Sequence, residues 1–162
     1  NDTSIEIGTG GTATITATHA GDVLIGSTTN TNTGLLQVDG AISAKVHHEL
    51  FTVGTIASNI VSLDLNTGTS VVTVASPGAN FSLAITNALN TGNTTTGLAI
   101  IVTQASSPFI PNALTVNGSA VTINWLGGSA PAGTASKTEI FSFTVINTGG
   151  VFTALGSVST FG

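Results

Sequence analysis

The chain is 162 residues long, 41% hydrophobic and only 6% charged, with a formal net charge of −5. A soluble chain ordinarily carries about a quarter of its residues as charges. Two cations, Lys45 and Lys137, leave almost nothing to neutralise phosphates and exclude nucleic-acid binding. The absence of cysteine excludes a disulfide scaffold, a thiolate zinc site and a thiol nucleophile. No apolar run approaches the roughly 18 to 20 residues of a membrane helix, which speaks against membrane insertion. The apolar content is enough for a core and too high for a disordered chain. So little charge means either that much of the surface is covered in an assembly or that Thr, Ser and Asn coat it. Both suit an extracellular or virion protein better than a cytoplasmic enzyme. The start, Asn1-Asp2-Thr3-Ser4, has neither an initiator Met nor a basic n-region. It reads as the edge of a processed or longer chain.

In chain order nearly every segment reads as β, with Thr, Val and Ile punctuated by 20 glycines. Ser4 to Thr18 alternates through Ile5, Ile7, Ala13, Ile15 and Ala17, broken at Gly8-Thr9-Gly10-Gly11. Gly21 to Ser43 holds two short apolar runs, Val23-Leu24-Ile25 and Leu35-Leu36-Gln37-Val38, joined by a Thr/Asn segment and closed by Asp39-Gly40. These runs are too short to bury themselves. Val23, Leu24, Ile25, Leu35, Leu36 and Val38 are therefore expected to pack against another subunit. Ala41 to Val46 leads into His47-His48-Glu49.

From Thr52 onward the alternation sharpens. Val61 to Leu65 is a period-2 strand ended by the turn signal Asn66-Thr67-Gly68. Val71 to Ala75 follows, ended by Pro77-Gly78, and Phe81, Leu83 and Ile85 alternate next. Asn87 to Gly97 reads as a long polar loop, with a helical turn near Asn87-Ala88-Leu89. The unbroken apolar run Leu98 to Val102 predicts a strand buried on both faces. Pro108 and Pro111 make 107–112 an irregular loop or sheet edge. Asn117-Gly118, between Leu114–Val116 and Val121–Ile123, predicts a type I′ hairpin. Ile140 to Ile146, Phe152 to Leu155 and Val158 complete the strands. This spacing predicts an all-β fold: an antiparallel, jelly-roll-like β-sandwich head over residues 47–162, preceded by an extended arm or shaft-like segment over 1–46.

Several patches in this order are similar to the C-terminal domains of bacteriophage tail-fibre and fibre-like virion structural proteins. The first is Gly21–Ser43. The second begins with Ser62-Leu63-Asp64-Leu65-Asn66-Thr67-Gly68. It continues with Val121-Thr122-Ile123-Asn124-Trp125-Leu126-Gly127-Gly128-Ser129-Ala130-Pro131, then Thr138-Glu139-Ile140-Phe141-Ser142-Phe143 and Gly149-Gly150-Val151-Phe152. The chain departs from that pattern in having no Tyr. The resemblance implies a homotrimer located in the virion and partnered by other virion proteins. Its implied role is assembly, together with attachment to a host-surface glycan or receptor, without enzymatic chemistry. Three alternatives share these features. One is a capsid decoration or cement protein, another a glycan-binding module using loops 87–97 and 108–112. The third is a pilin-like subunit of a cell-surface filament, in which Ser4 to Thr18 completes a neighbour's sheet by donor-strand exchange.

No residue pattern points strongly to a catalytic site or a cofactor. His47 and His48 are the weak metal candidates: adjacent strand residues face opposite ways, so one chain cannot grip an ion with both, although a trimer axis would gather three copies of one. The carboxylates Asp2, Glu6, Asp22, Asp39, Glu49, Asp64 and Glu139 form no pair at catalytic spacing. The sole tryptophan, Trp125, reads as a core or subunit-interface aromatic together with Phe141, Phe143 and Phe152, ahead of the rival reading of a sugar-stacking platform. Gly127-Gly128 has no following Lys or helix and is not a phosphate cradle. Asn80, Asn93 and Asn117 match the glycosylation pattern, as chance provides in such a chain.

Overall fold

The computed structural model describes residues 51–67 and 70–162. The chain divides into two units, 1–43 and 44–162, and every described residue belongs to the second. The expected arm, with Val23, Leu24, Ile25, Leu35, Leu36 and Val38, lies outside the described residues, as do His47 and His48.

The described residues form an all-β sandwich of two sheets. The strands are β1 (Phe51–Val53), β2 (Ile56–Ala57), β3 (Ile60–Asp64), β4 (Val71–Ala75), β5 (Phe81–Thr86) and β6 (Asn93–Thr103), followed by β7 (Pro111–Val116), β8 (Ser119–Val121), β9 (Ile123–Trp125), β10 (Thr138–Thr148) and β11 (Val151–Phe161). One sheet has the order β1-β4-β6-β10-β11-β9 and the other β2-β3-β5-β7-β8. The only helical element among them is a single 3-10 turn, Leu65–Thr67.

Strand direction is mixed, where an antiparallel sandwich was expected. β3, β5 and β7 run parallel in one sheet, and β1, β4 and β6 run parallel in the other. From β3 to β7 the chain changes sheet at every connection, so strands two apart in sequence become neighbours pointing the same way. Hairpins that would pair consecutive strands are found elsewhere. Ser58 and Asn59, both at positive φ, turn β2 into β3. Asn117 and Gly118, at φ 49° and 81°, turn β7 into β8 as the expected type I′ pair. Gly149 and Gly150 close the long antiparallel β10–β11 hairpin.

The core lies between the sheets and follows the alternation of the sequence. Phe81, Leu83 and Ile85 of β5, Leu114 and Val116 of β7, and Val61 and Leu63 of β3 face Val72, Val74, Leu98, Ile100, Val102, Phe141, Phe143 and Val145. The run Leu98 to Val102 is buried on one face only. Leu98, Ile100 and Val102 point inward, while Ala99 and Ile101 are half-buried on the outer face. Asn93 to Gly97, expected within a loop, is the first half of β6, because the register of β10 carries pairing out to Asn93 opposite Thr148. The loop is confined to 87–92. Val121 to Ile123 is not one strand: the chain breaks at Thr122, leaving β8 in one sheet and β9 in the other. Pro111, which has no N–H to give, opens β7 where the register against β5 shifts between Phe81 and Ser82.

Candidate binding and assembly surfaces

The two ends of the sandwich are built by different polar networks. At the end carrying loop 87–92, asparagines hold the backbone. Asn117 Nδ2 donates to the Ala88 carbonyl at 2.8 Å, and Asn117 Oδ1 accepts the Ala88 N–H at 3.0 Å. Asn147, buried at the end of β10, donates to the Leu89 carbonyl at 2.9 Å and accepts the Gly150 N–H at 2.7 Å. The Gly149 N–H reaches the Gly92 carbonyl at 2.9 Å. Asp64 Oδ1 accepts from Asn87 Nδ2 at 2.7 Å and from the Asn66 N–H at 2.9 Å. The Asn87 amide, then the Asn66 N–H, hold the Asp64 carboxyl below the ordinary aspartate value by favouring its charged form. These bonds fasten 87–92 to β3, β7 and β10 at once. An uncharged cleft opens beside them, lined by Asn90, Asn117, Ser119, Val121, Val151 and Phe152.

At the opposite end, Gln104 is the organiser. Its amide donates to the Phe109 carbonyl at 2.8 Å and to Glu139 Oε2 at 2.8 Å, while its Oε1 accepts the Phe109 N–H at 3.0 Å. Glu139, almost fully buried on the inner face of β10, also accepts from the Thr160 hydroxyl at 3.2 Å. Asn80 Oδ1 receives the Ile110 N–H at 2.9 Å. Lys137 Nζ donates to the Gly162 carbonyl. The two segments expected from sequence to serve as binding loops, 87–97 and 108–112, overlap loops 87–92 and 104–110, which sit at opposite ends and do not form one site. Asp64 and Glu139, the carboxylates among the described residues, are likewise at opposite ends. No group of three metal-ligating side chains occurs among the described residues.

Trp125 lies on the inner face of β9. Its ring meets Phe143 edge-on at 5.6 Å between centroids and Phe141 at 6.4 Å. Gly156, its partner on β11, leaves the room for the indole. Phe141 and Phe143 are buried in the core, and Phe152 is half-buried against it. All four aromatics thus point between the sheets.

A third surface is the outer face of the six-stranded sheet. The register places on it Phe51 and Val53 of β1, Val71, Thr73 and Ala75 of β4, and Ala99 and Ile101 of β6. Ile140, Ser142 and Thr144 of β10 and Leu155, Ser157 and Ser159 of β11 continue it. Among the described residues, no charged side chain falls on this face. Phe51 is 61% exposed, Val53 73% and Leu155 45%. Sequence reading passed over this face, since each residue alone is an ordinary strand residue; the signal was the absence of charge at every alternate position of β4, β6, β10 and β11.

No family model matches the chain, nor does any curated protein sequence or solved structure.

Proposed function

We propose that the chain is a structural protein of a bacteriophage virion, a homotrimeric component of the tail-fibre type whose work is assembly with itself and with other virion proteins. The carrying observation is the uncharged outer face of the six-stranded sheet, with exposed Phe51, Val53 and Leu155, which a solitary soluble domain would ordinarily dress with charge. The fibre-like patches quoted above support the same reading. Host attachment, its second part, falls to the end around loop 87–92, where Asn90, Asn117 and Ser119 line a neutral cleft suited to a glycan.

Two measurements test this. Mass photometry of the purified full chain should give three 16.0 kDa chains, about 48 kDa; a stable monomer sinks the fibre reading. Immunogold labelling of phage particles with antiserum to the chain should decorate tail fibres. Label on the capsid would mark a decoration protein instead, and no label on any particle would end the virion assignment.

A further inference from the structure

We propose that the outer face of the six-stranded sheet packs around the three-fold axis of the trimer, against the same face of the other copies of the chain, with the β1 side of the face at its centre. This deepens the assembly reading and rests on it. Register supplies the first argument. Phe51 lies beside Val71, which lies beside Ala99; one row along, Val53 leads through Thr73 to Ile101 and Ile140. The apolar residues therefore form one continuous patch, bordered by Ser142, Ser157 and Ser159. A patch of this kind with a polar rim is the composition of an interface, whereas scattered apolar residues would need no explanation.

Charge chooses the occupant. Among the described residues the charged side chains are Asp64, Lys137 and Glu139. Glu139 is buried, and the other two lie at the two ends of the sandwich, off this face. A partner that recognises by charge finds nothing to pair with. A second copy brings a face equally free of charge, so self-contact sets no like charges together. The hydroxyls of Thr73, Thr144 and the serines can each donate and accept, which suits contact between identical faces.

Size is adequate as well. Six strands at about 4.8 Å spacing span about 24 Å, and an eleven-residue strand runs about 36 Å. β6, β10 and β11 each have 11 residues. The flanking strands are shorter, so the usable face is on the order of 600–800 Å², close to the roughly 800 Å² per partner of a standard interface.

The test uses the full chain. Val53→Lys puts a cation on an open position of the patch, and Ser62→Lys does the same at an exposed position of β3, on the five-stranded sheet and away from the face. Val53→Lys should weaken assembly at least about tenfold in the dilution midpoint read by mass photometry, and Ser62→Lys should leave it unchanged. Because the chain has no cysteine, Ser142→Cys gives an independent readout. A bulky thiol reagent should label it at least about tenfold more slowly at assembling concentration than at dilution, while Ser129→Cys labels equally in both. An assembled chain indifferent to Val53→Lys, with Ser142→Cys labelled freely, overturns this surface and leaves the assembly reading standing. A wild-type chain monomeric at all concentrations overturns both.

Discussion

The indole of Trp125 occupies the space that a side chain at residue 156 would fill. A Cβ built on Gly156 would lie 2.9 Å from the Trp125 ring and 2.8 Å from Ile123 Cγ2. Gly156 also sits opposite Phe143 on β10, so the ring reaches across it to the core phenylalanines. Gly156→Ala should therefore destabilise the domain by about 1–3 kcal/mol through overpacking. Combined with Trp125→Leu, which removes one of the two obstacles and leaves Ile123, Gly156→Ala should cost less than it does alone. Urea unfolding of the two single variants and the double variant measures this coupling. Additive losses would show that the ring does not depend on the glycine.

Gln104 satisfies both backbone groups of Phe109 and one oxygen of buried Glu139. Gln104→Ala leaves these groups without that partner in a place water reaches poorly. The expected loss is about 1–3 kcal/mol, larger than the roughly 0.5–1.5 kcal/mol expected for Thr160→Val, which removes one weaker bond to the same carboxylate. Hydrogen exchange should speed up at Phe109 and Ile110 in the Gln104 variant, with the 87–92 end unaffected. Equal acceleration at both ends would mean global loosening and would contradict a local role.

Asn117 serves twice, as the first residue of a type I′ turn at φ 49° and as the clamp on Ala88. Asn117→Gly keeps the backbone conformation and removes the clamp; Asn117→Ala removes both. The alanine variant should lose about 1–2 kcal/mol and the glycine variant less, since glycine adopts positive φ without strain. Thermal unfolding of the pair separates turn from clamp. If the two variants melt together, conformational strain at 117 contributes nothing.

Asp64 accepts from Asn87 and from the Asn66 N–H, and its folded pKa is depressed by them. A depressed carboxylate pKa adds stability that is fully present above the unfolded-chain aspartate value and is lost as pH falls through the folded value. Because Asp64 is fully exposed, the effect is small and salt-screened. NMR titration should show the Asp64 carboxyl titrating below an ordinary aspartate, and Asn87→Ala should move it back up. A titration unchanged by Asn87→Ala would contradict the assignment of its cause.

Much of this fold was readable from the chain, and the reasons differ by segment. Val61–Leu65, Phe81–Ile85 and Ile140–Ile146 alternate cleanly because each strand has one face on a single core, and the Asn117-Gly118 turn is legible because few other residues tolerate its geometry. Strand direction was not legible. Whether β3 pairs with β4 beside it or with β5 beyond it depends on where the chain crosses between sheets, and Leu65–Thr67 carries no local mark of that. The run Leu98 to Val102 misled because Ala99 and Ile101 lie on the charge-free outer face, which reads in sequence like a buried one. Asn93 to Gly97 misled in the opposite sense: its Thr residues are strand-compatible, and only pairing with β10 decides the matter. The surfaces were hardest to read. Gln104 gains its meaning from Phe109 and from Glu139, 35 positions away, and the outer face exists only once four strands are laid side by side.

The alternation of the chain between sheets from β3 to β7 makes every parallel ladder there non-local. Ile60 meets Ser82, and Val71 meets Ala99, only across a connection that includes a strand of the opposite sheet. The entropy of the connecting segment must be overcome before any such ladder repays it. The β10–β11 hairpin is free of that condition, since Thr148 pairs with Val151 across Gly149-Gly150 and the rest can zip from there. Its inner face supplies Phe141, Phe143 and Val145 to the core. The longest local ladder of this topology lies at the C-terminal end, which makes it the expected place for folding to begin, with higher φ-values there than in β3 to β6.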